Sequence, residues 1–148
     1  LAFALIQPGR QFSATCSVEA RTAKDLFKAL DTELSSHLMK EEQVLFPYIV
    51  ALETHVRKGS PKPHAPFGTA RNPIRQMEHE HESAGEALAK LREVTCDYAL
   101  PADACPTFIA MYEDLQRMEG DLHQHIHLEN NILFPRVVDL EGVPGGEG

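Results

Sequence analysis

One eleven-residue pattern occurs twice in this chain: His37-Leu-Met-Lys-Glu41-Glu-Gln-Val44-Leu45-Phe46-Pro47 and His125-Ile-His-Leu-Glu129-Asn-Asn-Ile132-Leu133-Phe134-Pro135. Both copies read HxxxExxhLFP, where h is Val or Ile. On a helix, residues four apart project from one face with Cβ atoms about 5–6 Å apart. Each copy therefore offers one imidazole nitrogen and one carboxylate oxygen to the same small volume. Two such helices facing each other predict a pseudo-symmetric site, and a chain that must bring them together can adopt few folds.

The surrounding residues supply the helices. Inward positions stepping by three and four run through Phe27, Leu30, Leu34, His37, Glu41, Val44 and Tyr48, which predicts a helix from Thr22 or Ala23 to Arg57, kinked at Pro47. A second stripe, Ile74, Met77, His81, Ala84, Leu88 and Leu91, opens at Pro73, where a missing N–H is harmless. A third runs Phe108, Met111, Leu115, Met118, Leu122, His125, Glu129 and Ile132. Between them, Lys58 to Pro73 holds four prolines and two glycines and is expected to be a long mobile connection. Thr95 to Pro106 forms the second connection, and the segment after Arg136, ending GVPGGEG, is expected to fray. No strand-like alternation of any length is present, so the expected fold is all-α, an up-down helical bundle with antiparallel neighbours.

At 148 residues the chain fits one domain, and 43% hydrophobic with 24% charged content is ordinary for a globular protein. The net charge of −8 and scattered Lys and Arg argue against a nucleic-acid partner. No apolar run approaches the roughly 20 residues that span a bilayer, and LAFALIQPG is too short for a signal h-region, so no membrane partner is expected. Cys16, Cys96 and Cys105 form no CxxC pair and leave one thiol unpaired, which suits a reducing compartment and a cytoplasmic protein.

The chemistry lies where the apolar stripes are interrupted by His37, Glu41, His81, His125 and Glu129. A desolvated carboxylate costs several kcal/mol unless compensated, and a metal ion is the compensating partner that also accepts imidazole nitrogen. His81 lies four after Met77 on the stripe, whereas His79 falls about 200° away and is assigned to solvent. The same test places His123 and His127 off the stripe, exposed or just outside the site. His55 and His64 receive no role. Glu42, Glu80, Glu82 and Glu119 are read as solvated helix charges, and Met77, Met111 and Met118 as core packing. Mixed imidazole and carboxylate donors without thiolate favour iron or manganese over structural zinc, and two carboxylates placed between metals favour a bridged pair, with iron preferred.

Three segments, ELSSHLMKEEQVLFPYI, RQMEHEHESAGEALAKLREVT and DLHQHIHLENNILFPR, resemble the hemerythrin-like di-iron domain of the YtfE, RIC and ScdA family, grouped as repair of iron centres. The likeness spans roughly Lys24 to Arg136, including Tyr98, Pro101, Ala104-Cys105, Thr107 and Met111-Tyr112. It implies two iron ions, oxo- and carboxylate-bridged, with His37, His81 and His125 as terminal ligands and Glu41 and Glu129 as bridges. It further implies restoration of iron–sulfur clusters damaged by nitric oxide or oxidants, with damaged iron–sulfur proteins as recipients of iron.

The family takes two further histidines from sequence ahead of the Lys24 region, yet no histidine precedes His37 here. Residues 1–23 are accordingly read as an atypical N-terminal segment lacking the first bundle helix, 24–136 as the di-iron domain and 137–148 as a flexible tail. The family's small N-terminal module with paired cysteines has no counterpart either. A three-helix remnant would expose a stripe and favour a homodimer. Rival readings are hemerythrin-type binding of dioxygen or nitric oxide, iron storage or sensing, and a metal-free helical interaction module. No nucleophile–base pair, phosphate loop or nicotinamide fingerprint supports conventional enzyme chemistry.

Overall fold

The computed structural model describes residues 14–143, with side chains from residue 21 onward. Helix α1 (Ala14–Lys40) passes through a widened π-type turn (Glu41–Leu45) into α2 (Phe46–Lys58), making one continuous rod. α3 (Arg71–Val94) is the second rod. α4 (Pro106–Leu128), a second π-type turn (Glu129–Leu133) and α5 (Phe134–Gly142) make the third. The described residues contain no strand.

Three apolar layers fix the directions of the rods. Leu45, Tyr48 and Leu52 pack with Ile74, Met77, Phe134 and Val137 at one end. Leu30 meets Ala84, Leu88 and Leu122 further along, and Ala23 meets Leu91, Tyr98, Met111 and Leu115 at the other end. Position rises along the first and third rods while it falls along α3, which is the up-down-up bundle expected from the three stripes. Every predicted inward residue of α3 is buried.

The first helix begins by Ala14 instead of near Thr22, because no Pro or Gly interrupts the sequence between Gln11 and Phe46. The expectation for the segment ahead of Ala14 lies outside the described residues. Val44 and Ile132, both predicted inward, are instead 44% and 45% exposed. They occupy the same place in the two copies of the repeat, and the cause is shared. Each copy closes an i→i+5 hydrogen bond, Phe46 N–H to Glu41 O and Phe134 N–H to Glu129 O, so one extra residue enters the turn. The inward series then takes two steps of four, His37 to Glu41 to Leu45, and turns Val44 outward. Pro47 and Pro135 follow at the start of the next helical segment, where a ring without N–H is tolerated. The expected kink is thus a local widening of the helix.

Both connections are anchored. The 59–70 segment, expected to be mobile, is held by Glu141, whose carboxylate accepts from Tyr48 Oη at 2.7 Å, Thr69 Oγ1 at 2.9 Å and Ala70 N at 2.9 Å. Phe67 packs edge-on against Tyr48, and Ala70 is fully buried. Glu141 can do this because the third rod does not fray after Arg136. Val137 is 1% exposed and holds the helix to the core as far as Gly142.

At the other end, Cys96, Asp97 and Tyr98 all adopt positive φ (51°, 58° and 58°), which costs about 1–2 kcal/mol for each such residue. Burial of Tyr98 offsets this, with its hydroxyl donating to Glu119 Oε2 at 2.8 Å and its N–H to Thr95 Oγ1 at 3.2 Å. Glu119, read from sequence as a solvated charge, is 3% exposed and also accepts from Arg92 Nε at 2.6 Å. It is buried because it faces the same bundle end as Tyr98, one residue past Met118 on the stripe.

Burial opposes ionisation of Glu141, but bonds from Tyr48, Ala70 and Thr69 outweigh it and hold its pKa below the ordinary 4.5. A lowered folded pKa means the unfolded chain binds more protons. The stabilisation is therefore complete above the ordinary glutamate range and is lost as pH falls through the folded value. Glu141→Gln is expected to lower stability at neutral pH by about 1–3 kcal/mol, with the deficit shrinking in acid. Urea unfolding at a series of pH values checks both.

Candidate metal centre

Between the apolar layers the bundle carries one polar layer. α1 contributes His37 from its last turn, the π-type turn that follows contributes Glu41, α3 contributes His81, α4 contributes His125 and the second π-type turn contributes Glu129. One donor atom from each of these five residues lies within 4.8 Å of all the others. All five residues singled out from the sequence are therefore brought together. Four are buried, and His125 is 32% exposed.

The distances describe a ring of donors around a common point. His37 Nε2 lies 3.3 Å from Glu41 Oε1, and His125 Nε2 lies 3.7 Å from Glu41 Oε2. Glu129 Oε2 is 3.2 Å from both His81 Nε2 and His125 Nε2. His37 Nε2 and His81 Nε2 are 3.2 Å apart. Among the described residues, both Glu41 oxygens, Glu129 Oε2 and His125 Nε2 are buried side-chain atoms without a hydrogen-bond partner.

These orphaned atoms test whether a cation fits. His37 Nδ1 faces Glu80 Oε2 at 3.0 Å and His81 Nδ1 faces Asn130 Oδ1 at 2.8 Å. Both partners are acceptors, so both Nδ1 atoms carry the proton and both Nε2 atoms turn their lone pairs into the cluster. Lone pairs and carboxylate oxygens at these separations repel unless positive charge lies among them. In the metal-free chain a proton can supply part of it. Burial opposes a charged His37, but the Glu41 and Glu80 carboxylates beside it outweigh burial and raise its pKa. Burial likewise opposes ionisation of Glu129, and the His81 imidazole leads the neighbours that lower its pKa. Imidazole nitrogen with carboxylate oxygen, and no thiolate, is the donor chemistry of iron, manganese or catalytic zinc. The residues present fit a metal ion.

Two residues around the centre were missed from sequence. Glu80, read as a solvated helix charge, is half-buried and accepts from Lys40, from Gln76 Nε2 at 2.9 Å and from His37. Burial would raise its pKa, yet those three contacts lower it to about 2. Its place beside His81 in sequence puts it at the α1–α3 seam, a signal that stripe periodicity alone does not carry. Asn130 follows Glu129 inside the π-type turn, where the extra residue brings both to the interior edge. His79, His123 and His127 are exposed, in line with the period argument. His55, given no role, is buried at the end of α2 with Nδ1 against the Ser60 carbonyl, which closes the helix where Gly59 takes φ 64°.

A groove of about 450 Å³ opens beside the centre between α1 and α4, lined by Leu34, Leu38, Met118, Leu122 and His125 with Asp114, Arg117 and Asp121 at its edge. No described helix is long and apolar enough to cross a membrane.

A wholly buried carboxylate without a partner destabilises the metal-free fold, and an apolar replacement of similar volume removes that cost. Glu41→Met is expected to raise the stability of the metal-free chain by about 1–4 kcal/mol and to abolish any rise in melting temperature on adding a divalent ion. Calorimetry with and without ferrous or zinc ion checks it. A less stable metal-free variant would count against the cation-shaped cluster.

Comparison with known proteins agrees with this centre. The chain is 44% identical over 110 residues to the iron-sulfur cluster repair protein YtfE of Salmonella newport, a match covering 74% of this chain and 44% of the relative. The YtfE proteins of Salmonella heidelberg and Salmonella agona match over the same length at the same identity. The matched stretch thus spans less than half of these relatives' length. The hemerythrin HHE cation binding domain matches residues 7–137, which takes in all five clustered residues, and the chain belongs to that family.

Proposed function

We propose that the centre holds a pair of iron ions, with His37, His81 and His125 as terminal ligands and Glu41 and Glu129 shared between the ions. We propose further that the chain serves the repair of iron–sulfur clusters damaged by nitrosative or oxidative stress. The observation that carries the first part is the disposition of Glu41. It is fully buried, with one oxygen turned to His37 and the other to His125, as suits a carboxylate shared by two cations. Similarity to proteins named for iron–sulfur cluster repair supports the second part.

Iron bound there supplies one-electron redox chemistry and exchangeable coordination positions. The chain's own contribution is to hold the donors. Neutral imidazoles bind through nitrogen without adding negative charge, the two carboxylates balance the cations, and the apolar layers on either side exclude water. His125, on the groove, leaves one side of the centre approachable. A small diatomic ligand or a departing ion would pass there, so the groove serves the repair reading and the alternative of dioxygen or nitric oxide binding alike.

The same reading carries the homodimer expected for a three-rod bundle. It places the protein in the cytoplasm, where exposed free thiols such as Cys96 and Cys105 persist.

Protein purified without oxygen is expected to carry about two iron ions per chain and to lose most of them in Glu41→Ala and Glu129→Ala. The loaded chain is expected to restore activity to a cluster enzyme inactivated by nitric oxide, with loss of its own iron. Elemental analysis and a reactivation assay measure these, and light scattering measures the dimer. Failure to bind iron after reconstitution with ferrous salt would sink the reading. A stable dioxygen adduct with no transfer of iron would move it to oxygen binding.

A further inference from the structure

The three imidazoles of the centre are not held alike, and the difference lies outside the ligand set. His37, from α1, has its Nδ1 against Glu80 of α3. His81, from α3, has its Nδ1 against Asn130 of the second π-type turn. Each of these two rings is thus oriented by a residue on another rod. Glu80 is itself fixed, since Lys40 and Gln76 both donate to its Oε1 and leave Oε2 for His37. Among the described residues His125 has no such partner on its Nδ1, and it is also the most exposed ring of the three. The sequence repeat makes the contrast sharper, because the counterpart of Asn130 in the first copy is Glu42, which is exposed.

We infer that Glu80 and Asn130 are positioning residues that hold His37 and His81 as Nε2 donors, making these two rings the preset half of the centre and leaving His125 as its adjustable member. An imidazole free in water exchanges its proton between two nitrogens and rotates about two bonds. A fixed acceptor at Nδ1 selects one tautomer and one ring orientation before any ion arrives, and it makes Nε2 a better donor. The two acceptors differ in kind. Glu80 brings a negative charge to His37, while Asn130 brings a neutral amide oxygen to His81, so His37 is the stronger donor. This inference rests on the metal-centre reading above, but its first test needs no metal.

Nitrogen-15 labelled, metal-free protein is expected to show two slowly exchanging Nδ1–H protons, one each from His37 and His81, and none from His125. Glu80→Ala is expected to remove the His37 signal alone and Asn130→Ala the His81 signal alone. Glu80→Gln, which keeps an acceptor oxygen, is expected to retain the signal. In competition titrations with zinc ion, Glu80→Ala and Asn130→Ala are expected to weaken binding about 10- to 100-fold, with Glu80→Gln restoring most of the loss. A His37 Nδ1–H proton that survives Glu80→Ala would overturn the inference, as would its loss without weaker zinc binding. A parent chain that binds neither zinc nor iron while showing both protons would instead overturn the metal-centre reading and, with it, the donor role of both rings.

Discussion

Everything in this bundle is arranged around a carboxylate that has no business being where it is. Glu41 is fully buried and both of its oxygens lack a hydrogen-bond donor. Left to itself such a group would take up a proton, draw in water or push the helices apart, because desolvating an isolated carboxylate is among the most unfavourable things a fold can do. Here it stays among three imidazoles and a second carboxylate. That arrangement becomes favourable once positive charge occupies the space the donors enclose. The polar layer therefore weakens the bundle without a cation and joins its three rods with one, since its donors come from α1, α3, α4 and the two π-type turns. Stability and metal binding are coupled through one atom group.

The apolar layers must then supply what the polar layer withholds. Leu30, Ala84, Leu88 and Leu122 close one side of it, and Leu45, Met77, Phe134 and neighbouring side chains close the other. His81 lies parallel to Phe134 and offset from it, with ring centroids 6.0 Å apart, so the donor layer is continuous with the core. The two π-type turns do the local adjustment. Each carries one of the carboxylates and lets the helix continue past a proline while changing which residues face inward. A regular α-helix through the same sequence would keep Val44 and Ile132 nearer the inward face and turn Phe134 away from the core.

What could be read from the sequence follows from this division. The bundle, its three rods and the five clustered residues were legible because each is written in helical period, and the inward stripe of α3, a rod of unbroken period, is buried at every position. Val44 and Ile132 fail where the period itself changes, and no periodic count carried across a π-type turn can stay in phase. Glu80 and Glu119 fail, and Asn130 goes unmarked, because they stand beside the stripe, where a charged or amide residue gives no signal of burial unless its cross-helix partner is known. The 59–70 connection was expected to be mobile on composition, whereas its order comes from Glu141, more than seventy residues along the chain from Thr69 and Ala70. Contacts at that separation leave no local mark.

The repeat itself shows why symmetry in sequence did not become symmetry in the site. His37-Glu41 and His125-Glu129 occupy equivalent turns, and each carboxylate opposes imidazoles across the bundle. A single middle rod cannot face both copies equally. It gives His81 to the cluster and Glu80 to His37, and nothing comparable to His125, which stays at the edge of the groove between α1 and α4. Antiparallel packing of three rods therefore converts a twofold motif into a centre with a closed side, held by residues of α3, and an open side, held by His125 alone. The groove gives chemistry at this centre that requires entry or departure a side on which to occur, and it is the side where the protein holds its donor least tightly.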